Sequence, residues 1–357
     1  MLAYLPVLRP DQTLTSWLLI LCRNHGAKPQ SLGHLLWPRC SIWNRDFDRT
    51  VANSTLRAIA EVTGLEFETL ESMTLRGMAR RYSSSEHNVG RQAGILPVGI
   101  YHRVRFAHGQ QFCPECLGQP TPYLRREWRS EFAVACRQHE ILLKDACPAC
   151  DAPFIPHRNR SLLQARCHRC LASLCDQPAR KANDELLRFQ SAIAAKLGLP
   201  DDSRSCSANE LLQGLAGCDH DLMDGLRKLS RLKATSLRHE RGWHRVEWSG
   251  LRIHQRAAVL EQVSADLANW PQAWISWLEG EKLTQNELDK RFGPWPLWVR
   301  TAIFQLPFSL GPTGFARKRD KAPLRLLRRQ APTLLTYRRA RAQLLLREAV
   351  NVEEALA

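Results

Sequence analysis

The chain has 357 residues, room for two or three hydrophobic cores at about 150 residues each. Its 44% hydrophobic and 24% charged residues are those of a globular protein and exclude wholesale disorder. Lysine and arginine outnumber aspartate and glutamate 51 to 35, a net charge of +16, and no run approaches the roughly 20 apolar residues of a membrane-spanning helix.

Residues 1–108 read as mostly helical. From Asp11 to Gly26, Leu14, Trp17, Leu18 and Leu21 recur at i, i+3, i+4 and i+7, one apolar helix face with Gly26 as its stop. The apolar run Trp17 to Cys22 is too short for a signal segment and has no basic leader or cleavage site, so a soluble, cytosolic protein is expected. A second helix is predicted from Ser54 to Thr63, with Leu56, Ile59, Ala60 and Val62 apolar and Gly64 ending it. A third starts near Glu66 and carries Leu70 and Met73. Two helices about the turn Thr63–Gly64–Leu65 are helix-turn-helix-like, a pattern common among helical domains. The polar stretch Arg80 to Gly94 reads as a loop.

Residues 109–178 hold most of the 12 cysteines. Cys113-Pro-Glu-Cys116 is followed by Cys136-Arg-Gln-His139, and Cys147-Pro-Ala-Cys150 by Cys167-His-Arg-Cys170. Each short spacing puts two ligands on one tight turn, and two such turns complete a tetrahedron. Two structural zinc ions are therefore expected, in a tandem zinc-finger, zinc-ribbon-like section: Cys113, Cys116, Cys136 and His139 hold one, Cys147, Cys150, Cys167 and Cys170 the other. Four protein ligands leave no open position for water or substrate, which marks a structural centre. The competing readings are buried thiols or a redox pair, but no βαβ setting accompanies the CxxC motifs, and a reducing compartment disfavours disulfides. His157, His168 and Cys175 are substitute ligands that break the spacing. Cys22, Cys40, Cys206 and Cys218 are isolated and expected as packed thiols. Arg125, Arg126 and Arg129, between the first site's two turns, suit either a nucleic acid or the surface of the zinc fold.

Residues 179–357 return to helices. Ser207–Glu210 and Thr284–Glu287 have capping-box spacing. Trp270, Trp274 and Trp277 form a stripe expected in a core. Thr284 to Phe304, interrupted at Gly293-Pro294-Trp295-Pro296, is a second helix-turn-helix candidate. Residues 315–347 carry eleven Lys/Arg against Asp320 alone. Arg317, Lys318, Arg319, Lys321, Arg325, Arg328, Arg329, Arg338, Arg339 and Arg341 are the candidate contacts to nucleic acid or a guide complex; otherwise they form a solvated helical face. The predicted fold class is mainly α and multidomain, divided as 1–108, 109–178 and 179–357.

Three stretches carry a family likeness: Thr13 to Gly26; Leu56 to Leu65 leading into Leu70–Leu75; and Gln111-Phe-Cys-Pro-Glu-Cys-Leu117 through Pro122-Tyr-Leu-Arg-Arg-Glu-Trp-Arg129 and Cys136–His139 to Cys147–Cys150, with Ile95-Leu-Pro97 upstream. Over about residues 11–170 the chain resembles the TniQ/TnsD target-selection proteins of transposons. Arg137-Gln138, in place of a proline after Cys136, departs from the common spelling while keeping both ligands. The resemblance implies a bacterial cytoplasmic adaptor that binds DNA or a guide-RNA Cascade complex, recruits an AAA+ ATPase and transposase, and in some members forms a head-to-tail homodimer. It implies neither membrane nor small-molecule substrate. The alternative is a stand-alone zinc-dependent transcription regulator. The chain has no HExxH, GxxxxGK[ST] or GxSxG motif, so no enzymatic activity is expected.

Overall fold

The structure is a computed structural model describing residues 4–38, 42–82, 93–101, 104–105, 107–159, 165–201, 211–212, 215, 218–242 and 247–306. Packing divides the chain into two units, Met1–Pro307 and Phe308–Ala357, and all described residues belong to the first. The basic candidates Arg317 to Arg341, Cys40, Cys206, the Ser207–Glu210 box and most of the expected Arg80–Gly94 loop lie outside the described residues.

The described chain is mainly helical. Helix α1 (Leu14–Asn24) starts at Thr13, whose side chain accepts from the Ser16 amide, and buries the expected face of Leu14, Trp17, Leu18 and Leu21. Trp17 Nε1 donates to Pro6 O at 3.1 Å, laying the preceding segment along this helix. α2 (Pro29–Leu36), α3 (Phe47–Thr50), α4 (Asn53–Thr63) and α5 (Phe67–Ser72) follow. α4 ends at Gly64 in the left-handed region, φ +73°, a conformation glycine adopts without a Cβ penalty. These helices close one core around Leu14, Trp17, Leu56, Ile59 and Leu70. The helix pair expected around Gly64 is present. Its surface carries Glu61, Glu66 and Glu68, charges that repel a phosphate backbone.

The other core runs from Leu75 to Leu306. It takes in α6 (Arg76–Tyr82), whose last turn occupies the start of the expected loop. Next come the hairpin β1 (Ile100–Tyr101) and β2 (Val104–Arg105), α7 (Pro114–Leu117), and the antiparallel pair β3 (Ala135–Cys136) and β4 (Ile141–Leu142), with Cys136 opposite Ile141. α8 (Asp184–Lys196), α9 (Asp219–Arg241), α10 (Ile253–Ala268), α11 (Gln272–Gly280), α12 (Gln285–Phe292) and α13 (Leu297–Ile303) complete it.

The packing groups residues differently from the sections drawn on the sequence, because the cysteine-rich section shares its core with the later helices. Gln190 on α8 shows how: its Oε1 accepts from the Val134 and Ala135 amides at 2.8 and 2.7 Å, and its Nε2 donates to Ala135 O at 3.0 Å. A side chain thus satisfies the open edge of β3 as a neighbouring strand would.

α13 sits on α9 through Trp298, whose Nε1 donates to Asp221 O at 3.2 Å. Position 225 must be glycine for this approach, since a Cβ there would lie 2.3 Å from the Trp298 ring. Trp274 is buried and stacks on Trp270 with centroids 5.1 Å apart, so these rings build core as expected. Trp270 precedes α11, which leaves Trp274 and Trp277 as the stripe on the helix itself. The Thr284–Glu287 capping box forms at the start of α12. Among the described residues no helix is long and apolar enough to cross a membrane.

Candidate metal centres

The eight spaced ligands gather into two groups: Cys113, Cys116, Cys136 and His139, and Cys147, Cys150, Cys167 and Cys170. Within each group the ligand atoms lie within 4.8 Å of one another. Cys113 opens α7 as its N-cap, with Pro114 at the first helical position, and its sulfur faces the Cys116 amide at 3.5 Å. Cys136 ends β3, and the turn into β4 carries His139.

The other turns share one local solution. Glu140, Asp151 and Leu171, each four residues after a first ligand, have φ of +57°, +53° and +61°. Each donates its amide to the carbonyl of that first cysteine, at 2.7 Å to Cys136, 3.0 Å to Cys147 and 3.1 Å to Cys167. A left-handed residue there reverses the chain and turns both ligand side chains inward. Glycine normally takes that conformation most cheaply, so its use here by Glu, Asp and Leu gave the sequence no signal.

The distances decide what these clusters suit. A tetrahedral zinc with Zn–S of about 2.3 Å and Zn–N of about 2.0–2.1 Å sets S···S near 3.8 Å and S···N near 3.6 Å. Cys116 and Cys136 sulfurs are 3.7 Å apart, Cys147 and Cys170 3.5 Å, and Cys150 and Cys167 3.7 Å. His139 Nδ1 lies 3.4, 3.2 and 3.6 Å from the sulfurs of Cys113, Cys116 and Cys136. Disulfides are ruled out for these sulfur pairs, because a bond needs about 2.05 Å. Both clusters can hold a metal ion. The thiols of each cluster titrate unequally: hydrogen bonds from Cys113 and Cys116 hold Cys136 well below the usual thiol range and the Ala172 amide brings Cys170 to about 7, while neighbouring thiols and burial push Cys113, Cys116, Cys147 and Cys150 up. On the far side of the His139 ring, Nε2 lies 3.9 Å from Glu115 Oε2, where a carboxylate orients a metal-bound imidazole.

The substitute ligands stay outside both groups. His157 is buried and stacked on Trp43, centroids 5.5 Å apart. Cys22 is packed as expected, and burial pushes its thiol up to about 12. Cys218 is not: it is exposed at the N-cap of α9, because the buried face of that helix begins only at Leu222.

The arginines between the first site's turns divide by what they reach. Arg129 is 1% exposed and forks onto Asp46 at 3.1 and 2.6 Å, and Arg126 donates to Asp11 Oδ1 at 3.1 Å. Both serve the fold. Arg125 reaches Gln138 Oε1 at 2.6 Å and lines a surface cleft. Further ion pairs tie the fold together: the buried pair of Arg137 with Glu127, and the half-buried Arg227 and Arg252 with the distant, buried Glu131 and Asp145. Sequence reasoning missed all of these, since no short spacing links partners that lie up to 107 residues apart.

No curated protein matches the chain. A family comparison matches residues 3–143 to TniQ, a span that contains both cores' first residues and the whole Cys113–His139 cluster. Over those residues, fewer than half of the chain, it is similar to the TniQ family.

Proposed function

We propose that this chain selects the target site for a transposon. The TniQ domain fits a transposition-associated adaptor in general, and that match carries the reading. In this reading both clusters hold zinc. Thiolate and imidazole ligands at tetrahedral spacing are the donor set zinc prefers. When bound, the ion supplies cross-linking and no reaction, because four protein ligands already fill its coordination sphere. The chain performs no catalysis; its folded platform presents surfaces to DNA or a guide-RNA Cascade complex on one side and to an AAA+ ATPase, and through it a transposase, on the other. The cluster Arg317 to Arg341 supplies the polyanion contact, since its charge is the densest in the sequence.

Two measurements test this. Insertions are mapped in cells carrying the transposon with and without an intact copy of this chain. Loss of targeted insertion is expected, and an unchanged insertion map overturns the proposal, leaving a promoter-binding regulator as the reading to pursue. Charge reversal at Arg325, Arg328 and Arg329 is expected to weaken nucleic-acid or guide-complex binding. The log–log salt slope on duplex DNA should flatten by about 0.9 for each phosphate that is no longer neutralised.

A further inference from the structure

A cleft of about 280 Å³ opens beside the first metal cluster, lined by Arg9, Gln119, Thr121, Tyr123, Arg125 and Gln138, with Cys116 and Pro120 completing it. Two arginines line it, Arg9 exposed and Arg125 mostly buried, and none of its lining residues is acidic. Its walls come from sequence segments more than 100 residues apart, yet the backbone fixes them together: the Thr13 amide donates to Leu124 O at 2.9 Å, and the Arg126 amide to Asp11 O at 2.8 Å. Arg9 is placed by the turn Arg9-Pro10-Asp11-Gln12, with proline second, Asp11 at φ +56°, and the Gln12 amide returning to Arg9 O at 3.3 Å. Its Nη2 donates to Thr121 Oγ1 at 2.9 Å, across the mouth. Arg125 is held from below, over the Tyr123 ring at 5.3 Å and against Gln138. Because these groups are braced before any ligand arrives, little ordering entropy is lost on binding.

We propose that this cleft binds the phosphate of a nucleotide unit, with Arg9 and Arg125 as the anion contacts and Tyr123 as an aromatic wall for the base. Fixed guanidinium forks match phosphate oxygens in pairs. A ring beside a basic groove is the arrangement on which single-stranded bases stack without regard to sequence. The volume is just below the roughly 300–1,000 Å³ of small-ligand pockets, which suits one nucleotide and leaves the rest of a strand outside. Gln138 links the cleft to the metal centre, because its Oε1 also lies 3.8 Å from Cys116 Sγ. The inference rests on the nucleic-acid reading above for the class of ligand and on the cleft alone for the place.

The test uses the full chain with Arg325, Arg328 and Arg329 reversed to glutamate, which removes the expected tail contact. A fluorescently labelled thymidylate hexamer is titrated by anisotropy, thymidine monophosphate is added as competitor, and ultraviolet cross-links are mapped by mass spectrometry. Arg9→Gln, on an exposed turn, is expected to lower affinity about tenfold, as removal of one charge-assisted hydrogen bond does. Cross-links should fall on the peptide carrying Tyr123, and Arg125→Lys should weaken binding while keeping the charge. Competition by the monophosphate at equal affinity assigns the phosphate to a free nucleotide; tighter binding of the hexamer assigns it to a strand. Hexamer binding unchanged in Arg9→Gln, with no cross-link at Tyr123, overturns the proposal. Target selection is judged separately, by insertion mapping, so either result leaves that reading standing or falling by itself.

Discussion

Arg129 and Asp46, 83 residues apart, meet as a two-pronged ion pair at 3.1 and 2.6 Å, with the same guanidinium also donating to Leu96 O at 2.8 Å. The pair joins the segment before α3 to the one between the first metal site's two turns. Removing Arg129 leaves the buried Asp46 carboxylate with the looser ion pair to Arg49 at 3.6 Å. Arg129→Ala is therefore expected to cost about 3–5 kcal/mol, and the double change Arg129→Met with Asp46→Leu distinctly less. Urea unfolding of the three proteins measures this, and equal losses in single and double variants would contradict it.

The two clusters differ in exposure: the three cysteines of the first are buried, whereas Cys150 is half-buried and Cys170 exposed in the second. A chelator is expected to strip the second site first. Cys147→Ser should lose one equivalent of metal and Cys113→Ser another, the latter with greater loss of soluble protein because its cluster is the more deeply buried. Metal analysis against chelator time checks the order.

Leu171 sits at φ +61° with its side chain 53% exposed, so it bears backbone strain without a compensating buried side chain. Leu171→Gly is expected to be neutral to stabilising by up to about 1 kcal/mol, the left-handed penalty offset by glycine's greater unfolded entropy. Leu171→Val, β-branched, should destabilise. Melting temperatures of the metal-loaded proteins decide it; a drop in the glycine variant would count against the strained-turn description.

Burial pushes the Asp48 carboxyl from 3.8 up to about 6, an effect countered in some measure by the Thr15 amide at 2.7 Å. The folded state therefore holds this proton more tightly than the unfolded chain. Its stabilising contribution is complete below about pH 4 and is lost as pH rises toward 6, by roughly 3 kcal/mol. Asp48→Asn keeps an acceptor for Thr15 and should remove that slope. Subtracting the two stability–pH curves cancels the metal sites' own dependence, and parallel curves would refute the assignment.

The sequence alone determined the ligand turns. Two ligands three residues apart can reach one ion whatever surrounds them, so the pairing of Cys113–Cys116 with Cys136–His139, and of Cys147–Cys150 with Cys167–Cys170, was legible in spacing. It also determined α1 and α4 down to Gly26 and Gly64, because apolar periodicity and a left-handed stop are local properties. Tertiary structure decided what depends on residues far apart in the chain. It made Arg129 a core ion pair and Arg125 a wall of a cleft, although the two are four positions apart on one basic run. It brought Gln190 against β3, which joins the cysteine-rich section to the later helices in one core. It also gave left-handed turns to Glu140, Asp151 and Leu171, which no local preference selects. A buried charge or an open strand edge takes whichever partner the fold brings near, and that partner's position is not encoded in the few residues on either side.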